Sequence, residues 1–172
     1  MIGVDPGSAG YAAATTLAAV GSAVGVSLCV GIASAWLFVA GSRVNAVVLA
    51  TTAVVGVACS ELLKLLIARP RPFDALLEPP GFSYPSGHSM GAAALATGLA
   101  LVALAHVGAR RSRAWVIIAA VSWVTLMMWS RTALHVHWLS DTIAGALLGW
   151  SVAVLVRAVL MRAAVTRAAA GP

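Results

Sequence analysis

The chain has 172 residues, 61% of them hydrophobic and only 9% charged, a polar content too small to cover a soluble globule of this size. A bilayer is the solvent this composition fits. The formal charge of +6 raises nucleic acid as a partner, but the basic residues are scattered between apolar runs and form no single stripe. An anionic membrane surface fits them better.

Charged residues and Pro/Gly clusters divide the chain into five apolar blocks, at about residues 11–40, 44–66, 88–107, 114–130 and 138–158. Each is near the roughly 20 residues that cross a hydrocarbon core as a helix. The expected fold is all-α: one domain over residues 1–172, a polytopic membrane helix bundle of about five transmembrane helices. Before the first block stands Met1-Ile2-Gly3-Val4-Asp5 with no basic residue, unlike a cleaved signal peptide. That block is free of charge from Pro6 to Ser42, too short for two crossings and a turn, and is expected to be one tilted or partly interfacial helix. Cys29 and Cys59 lie inside apolar runs and have no CxxC or Cys/His cluster about them, so they read as small core residues. Small residues such as Gly21, Gly25 and Ser34 fit close helix packing in lipid.

The second block ends in Lys64-Leu65-Leu66-Ile67-Ala68-Arg69-Pro70-Arg71-Pro72. Proline cannot continue a helix, so Arg69 and Arg71 fall where the chain turns at the membrane edge. Lys64 and Arg71 are seven apart and would share a side if the helix persisted. Taken alone, these cations also fit simple snorkelling to the interface.

The third block opens on Pro85-Ser86-Gly87-His88. Its tight turn leads into a helix N-terminus whose unpaired N–H groups favour an anion. Ser86 adds a hydroxyl donor, and His88 can carry a proton near neutral pH. A capping turn beside an incidental histidine gives the same tetrapeptide. The preceding loop, Phe73 to Tyr84, could cover a site or simply connect.

Between the fourth and fifth blocks lies Ser130-Arg131-Thr132-Ala133-Leu134-His135-Val136-His137-Trp138-Leu139-Ser140-Asp141. His137 and Asp141 are four apart, so on a helix they share a face and the carboxylate can fix the imidazole tautomer, leaving the other nitrogen free to attack. An interfacial His/Asp hydrogen bond without catalysis is the plainer alternative. His135 and His137 have no further ligands at metal-binding spacing, so no metal site is expected. Together the three clusters offer cations, a hydroxyl, a helix N-terminus and two histidines, which are the parts phosphoryl transfer needs.

Counting cations in the connections divides the molecule into two faces. Arg43, Arg110, Arg111, Arg113, Arg157, Arg162 and Arg167 share one face without an acid. Lys64, Arg69, Arg71 and Arg131 share the other with Asp5, Glu61, Asp74, Glu78 and Asp141. The positive-inside rule makes the first face cytoplasmic, so the three clusters look outward and five crossings leave the N-terminus outside.

The three clusters match, in order and spacing, Lys-x6-Arg-Pro, Pro-Ser-Gly-His and Ser-Arg-x5-His-x3-Asp, so residues 44 to 156 resemble the type 2 phosphatidic acid phosphatase superfamily. The resemblance implies that His137 is the nucleophile, Asp141 its orienter, and His88 the acid that protonates the leaving group. It also implies that Lys64, Arg71, Ser86, Gly87 and Arg131 hold the phosphate, with no cofactor. Arg69 and His135 stand outside the motifs. Membrane members of the family look like six-helix proteins, so the resemblance implies that the first helix is missing from the five counted here.

The expected function is that of a lipid phosphate or prenyl diphosphate phosphatase of the cell membrane, working through a phosphohistidine on the extracytoplasmic side. Undecaprenyl diphosphate, phosphatidylglycerol phosphate and phosphatidic acid are candidate substrates. A lipid phosphotransferase and a non-catalytic lipid-phosphate binding protein are the alternatives, while the composition argues against the soluble vanadate haloperoxidases with similar motifs. The partners expected are the lipid substrate and the bilayer, with no nucleic acid and no protein partner.

Overall fold

The computed structural model describes residues 3–169, which form six α-helices. They are α1 (Ala9–Val20), α2 (Ala23–Val39), α3 (Arg43–Ile67), α4 (Gly87–His106), α5 (Arg110–Ala133) and α6 (Leu139–Ala169). Helices α3 to α6 are each long and apolar enough to cross a membrane, and α1 with α2 make a fifth span if the bent pair counts as one. Large apolar side chains such as Val54, Leu65, Ile117, Leu155 and Val159 face outward from these helices, as a lipid solvent requires. The chain is a multi-pass membrane protein.

The first block differs from the single helix expected of it. It breaks at Gly21-Ser22 and the two halves meet at 54°. The cause is local: the Ser22 hydroxyl accepts from Gly25 N at 3.1 Å and so starts a new helix. At Gly21 the chain passes beneath Met127 of α5, whose thioether occupies the space a side chain would need. Helix α1 is thereby laid against the last turns of α5, where the Ser130 hydroxyl donates to the Ala14 carbonyl at 2.8 Å. Apolar composition alone did not mark this break, because both halves are apolar and carry no charge.

Helix direction then decides which residues meet. The N-terminus of α1, the C-termini of α3 and α5, and the N-termini of α4 and α6 gather at one end of the bundle, and this end carries all three motifs. The opposite end holds the starts of α3 and α5 and the cation-bearing end of α6, tied together where Arg157 donates to Asn45 at 2.9 Å. Helices α4 and α6 come into backbone contact through Gly145 and Gly149. A Cβ on the first would strike the Ser86 carbonyl and on the second the Met90 carbonyl. Two glycines four apart let the backbones touch, which is how helices associate in lipid without a hydrophobic driving force. This contact seats the start of α4 against the start of α6, where Ser86 N donates to the Asp141 carbonyl at 3.0 Å.

Candidate active site

Helix α3 stops at Ala68, which takes a left-handed conformation (φ 48°) while its N–H still bonds the Lys64 carbonyl at 2.9 Å. Lys64 therefore lies in the last turn, where a cation meets the negative end of the helix. Arg71 does not continue the helical face, as the seven-residue spacing had suggested. It lies beyond the turn and is held by the loop that follows: its Nε donates to Gly81 O at 3.0 Å, and its Nη2 donates to Pro80 O at 3.1 Å and Phe82 O at 3.3 Å. The 73–84 loop thus carries Arg71 to the site. The loop is itself fastened where Leu76 N donates to Leu134 O at 3.0 Å, and Ala75 and Leu77 pack on the cluster of Ala14, Ala18, Leu134 and Val136.

Ser86 is the N-cap of α4. Its hydroxyl receives Ser89 N at 3.4 Å and Ser89 Oγ at 3.2 Å. It is fully buried behind the helix terminus, and Gly87 and His88 are the residues that face the cavity described below. The Lys64 ammonium stands over this terminus, 3.6 Å from where a Cβ on Gly87 would lie. The ammonium is also met by Glu61 Oε1 at 2.6 Å, an acid that also lines the cavity.

His137 and Asp141 are adjacent, but not on one helix face as the spacing had implied. Helix α5 ends in a paired-carbonyl turn, with His135 N donating to Thr132 O at 3.1 Å and Val136 N to Arg131 O at 3.2 Å. His135 takes the left-handed position of that turn (φ 52°). Helix α6 begins only at Leu139, and Asp141 in its first turn accepts from Trp138 N at 3.0 Å, one half of a capping box. His137 therefore sits in the turn between the two helices. His135 points elsewhere, bonding Asp74 at 2.6 Å.

The hydrogen bonds around His137 define one tautomer. Its Nδ1 lies 2.8 Å from the Ser83 carbonyl oxygen, which can only accept, so Nδ1 carries the proton. Its Nε2 lies 3.3 Å from Arg71 Nη1, which can only donate, so Nε2 presents a lone pair. Burial draws this imidazole below its ordinary pKa. The Asp141 carboxylate opposes that shift, and the Arg71 and Arg131 charges add to it. Burial likewise lowers the Arg71 pKa, against the pull of Asp141, though a guanidinium keeps its charge at any physiological pH.

Lys64, Arg71, Gly87, His88, Arg131 and His137 all line one cavity of about 660 Å³. Arg131, one of the lining residues, is 3% exposed, and its Nε is a buried donor with no partner among the described residues. The same cavity continues between α2, α3 and α4 along Val26, Val30, Leu49, Val57 and Leu95. Cations and a helix N-terminus crowd one end, and the rest is apolar, a division that suits a molecule with an anionic head and a hydrocarbon body. Ser86 and Asp141 support the site from behind.

Two residues escaped the sequence reading. Arg69 Nη1 donates to Asp141 Oδ1 at 2.7 Å and to Ser140 Oγ at 2.7 Å, and its guanidinium lies 5.4 Å from the Trp138 ring centroid. Ser83, fully buried, supplies the carbonyl for His137 and donates its hydroxyl to Asp141 Oδ2. The Arg-Pro-Arg-Pro repeat was a usable signal for Arg69. Nothing in the sequence marked Ser83 apart from its position three residues before Ser86.

The profile of the PAP2 superfamily matches residues 44–164. Undecaprenyl-diphosphatase of Sulfolobus acidocaldarius is 33% identical over 115 residues, 63% of this chain and 52% of the relative, so the chain matches about half the length of that relative. The crystal structure of a transmembrane PAP2 type phosphatidylglycerolphosphate phosphatase from Bacillus subtilis superposes with a TM-score of 0.79 at 26% identity, covering 88% of this chain and 77% of that one. With three motifs converging on one cavity and a family profile spanning more than half its length, the chain belongs to the PAP2 superfamily.

Proposed function

We propose that the chain hydrolyses a lipid phosphate or prenyl diphosphate through a covalent phosphohistidine, with His137 as nucleophile, and that it does so on the extracytoplasmic side of the cell membrane. The observation that carries this reading is the commitment of His137 Nδ1 to the Ser83 carbonyl, which leaves the Nε2 lone pair beside Arg71 at the cationic end of the cavity. An imidazole held in that tautomer is a nucleophile that needs no base to activate it.

The phosphate sits among Lys64, Arg71, Arg131 and the N–H groups at Gly87, with Ser86 capping that terminus from behind. These groups neutralise charge on the non-bridging oxygens. Nε2 forms a bond to phosphorus while the bond to the leaving oxygen breaks, and His88 gives that oxygen its proton. Water then attacks the phosphohistidine and yields its proton to His88. The P–N bond breaks, which releases inorganic phosphate and restores both histidines. Asp141 stabilises the charge that His137 carries while phosphorylated. The relatives name two substrate classes, an undecaprenyl diphosphate and a phosphatidylglycerol phosphate, and the apolar arm of the cavity supports a lipid tail in either case.

The test is phosphate release by detergent-solubilised protein from a panel of purified lipid phosphates and prenyl diphosphates, with chelator and with vanadate. Release that survives chelator and is blocked by vanadate is expected. Loss of turnover in chelator, restored by a divalent metal, would overturn the histidine mechanism. Phosphate released only when an acceptor is scarce would make the chain a phosphotransferase, and no release from any lipid would make it a binding protein.

A further inference from the structure

We infer that Ser83 and Arg69 are positioning residues for the nucleophile, and that Asp141 orients His137 through Ser83 rather than by a hydrogen bond of its own. The inference rests on the reading of His137 as nucleophile. An Nδ1–H has one proton to donate, and the group that accepts it sets both the tautomer and the plane of the ring. Here the acceptor is the Ser83 carbonyl at 2.8 Å; the nearest Asp141 oxygen stands 3.7 Å away, beyond a hydrogen bond.

Asp141 is nevertheless fully buried, and besides capping α6 at Trp138 N it holds the two residues that fix that carbonyl. Oδ2 takes the Ser83 hydroxyl and Trp138 N, while Oδ1 takes Arg69 Nη1 at 2.7 Å. Arg69 closes the loop from the other side, since its own carbonyl receives Ser83 N at 2.9 Å. Ser83 is thus pinned twice, by its N–H to Arg69 and by its hydroxyl to Asp141, and its carbonyl can move only if one of these gives way. Arg69 further holds the residues just after the nucleophile through Ser140 and Trp138, and Trp138 Nε1 bonds Pro70 O at 3.2 Å. A buried carboxylate without its cation is costly, so Arg69 is also what allows Asp141 to stay ionised in this place.

A neutral carbonyl as acceptor has a chemical consequence. It fixes the proton on Nδ1 without drawing it away, so Nε2 keeps its lone pair, and the carboxylate one shell further out answers the charge that develops when Nε2 bonds phosphorus.

The experiment uses full-length protein in detergent, with Ser83→Ala, Ser83→Thr, Arg69→Gln and Arg69→Lys, and reads steady-state kinetics alongside the 15N spectrum of the labelled histidines, His137 being assigned by loss of its signal in His137→Gln. Ser83→Ala and Arg69→Gln should each lower kcat by about tenfold or more, in the range seen for outer-shell partners of a functional histidine, with KM little changed. In both variants the His137 signal should pass from a single Nδ1–H tautomer to a mixture. Ser83→Thr and Arg69→Lys should recover much of both readouts. If Ser83→Ala does not fold, Ser83→Cys, similar in size but a weak donor, carries the same expectation. Retention of wild-type kcat and of the Nδ1–H tautomer in Ser83→Ala and Arg69→Gln would overturn the inference. A mixture of tautomers in Asp141→Asn alone would also overturn it, since the carboxylate would then act directly. Full turnover in His137→Ala would instead overturn the assignment of the nucleophile, while the tautomer spectra would still report on what orients the ring.

Discussion

Nδ1 of His137 lies 0.9 Å closer to the Ser83 carbonyl oxygen (2.8 Å) than to Oδ2 of Asp141 (3.7 Å), so the immediate partner of this imidazole is main chain and the carboxylate stands behind it. Burial outweighs the opposing pull of the Asp141 carboxylate, and the imidazole pKa falls below its ordinary value of about 6.5. The sign of the pH dependence follows. A histidine with a lowered pKa keeps its lone pair as the solution is acidified through 6.5 and loses it only at a lower pH. In the 15N histidine spectrum of the solubilised protein, Nε2 of His137 should therefore stay unprotonated at pH 6.5. A protonation midpoint at or above that value would mean that Asp141 outweighs burial.

The proposed mechanism gives the two histidines of the cavity separable roles. His137→Ala should abolish turnover of every substrate, whatever its leaving group. The weight of His88 should scale with the basicity of the leaving oxygen. An alkyl lipid phosphate leaves as a strongly basic alkoxide, so His88→Ala should nearly abolish its cleavage. With an aryl phosphate, which leaves as a weakly basic phenolate, His88→Ala should release about one phenolate per enzyme in a burst and then slow, because water is no longer activated. Equal losses on both substrates without a burst would make His88 a phosphate ligand.

The contact between α4 and α6 should be as sensitive as any residue in the cavity. Gly145→Ala would drive a methyl into the Ser86 carbonyl and push the start of α4 away from Asp141. Overpacking of this kind costs about 1–3 kcal/mol, so a lowered Tm in detergent together with reduced phosphatase activity is expected. Gly108→Ala, where a Cβ meets nothing within 4 Å, should leave both unchanged. An unaltered Tm in Gly145→Ala would show that the helices can part without consequence.

Orientation can be read from single cysteines placed in a background lacking Cys29 and Cys59. Phe73, 98% exposed, lies in the loop at the motif-bearing end, and Arg111 is exposed at the opposite end. In intact cells an impermeant thiol reagent should label Phe73→Cys and spare Arg111→Cys, as the excess of cations around Arg110 to Arg113 requires. The reverse pattern would place the catalytic end in the cytoplasm.

The amino-acid sequence by itself determined the class of solvent, the number of long apolar spans, the separation of charges into two ends and the three motifs. Each of these depends on composition, length or local spacing, and a bilayer turns them directly into structure because it forbids unpaired backbone and charge in its core.

What only the tertiary structure decided were the features made by contacts between distant segments. The break that the Ser22 cap makes in the first block is seated against α5, with Met127 crossing at Gly21. His137 stands outside any helix because the turn closing α5 and the cap opening α6 leave it between them. Arg69 and Ser83 join the site because the loop from α3 folds back onto the start of α6. Spacing along a chain states which residues share a face of one helix, and the partners of His137 come from the single connection between α3 and α4, more than fifty residues away. Their place is set by backbone carbonyls, which every residue carries and no sequence pattern marks.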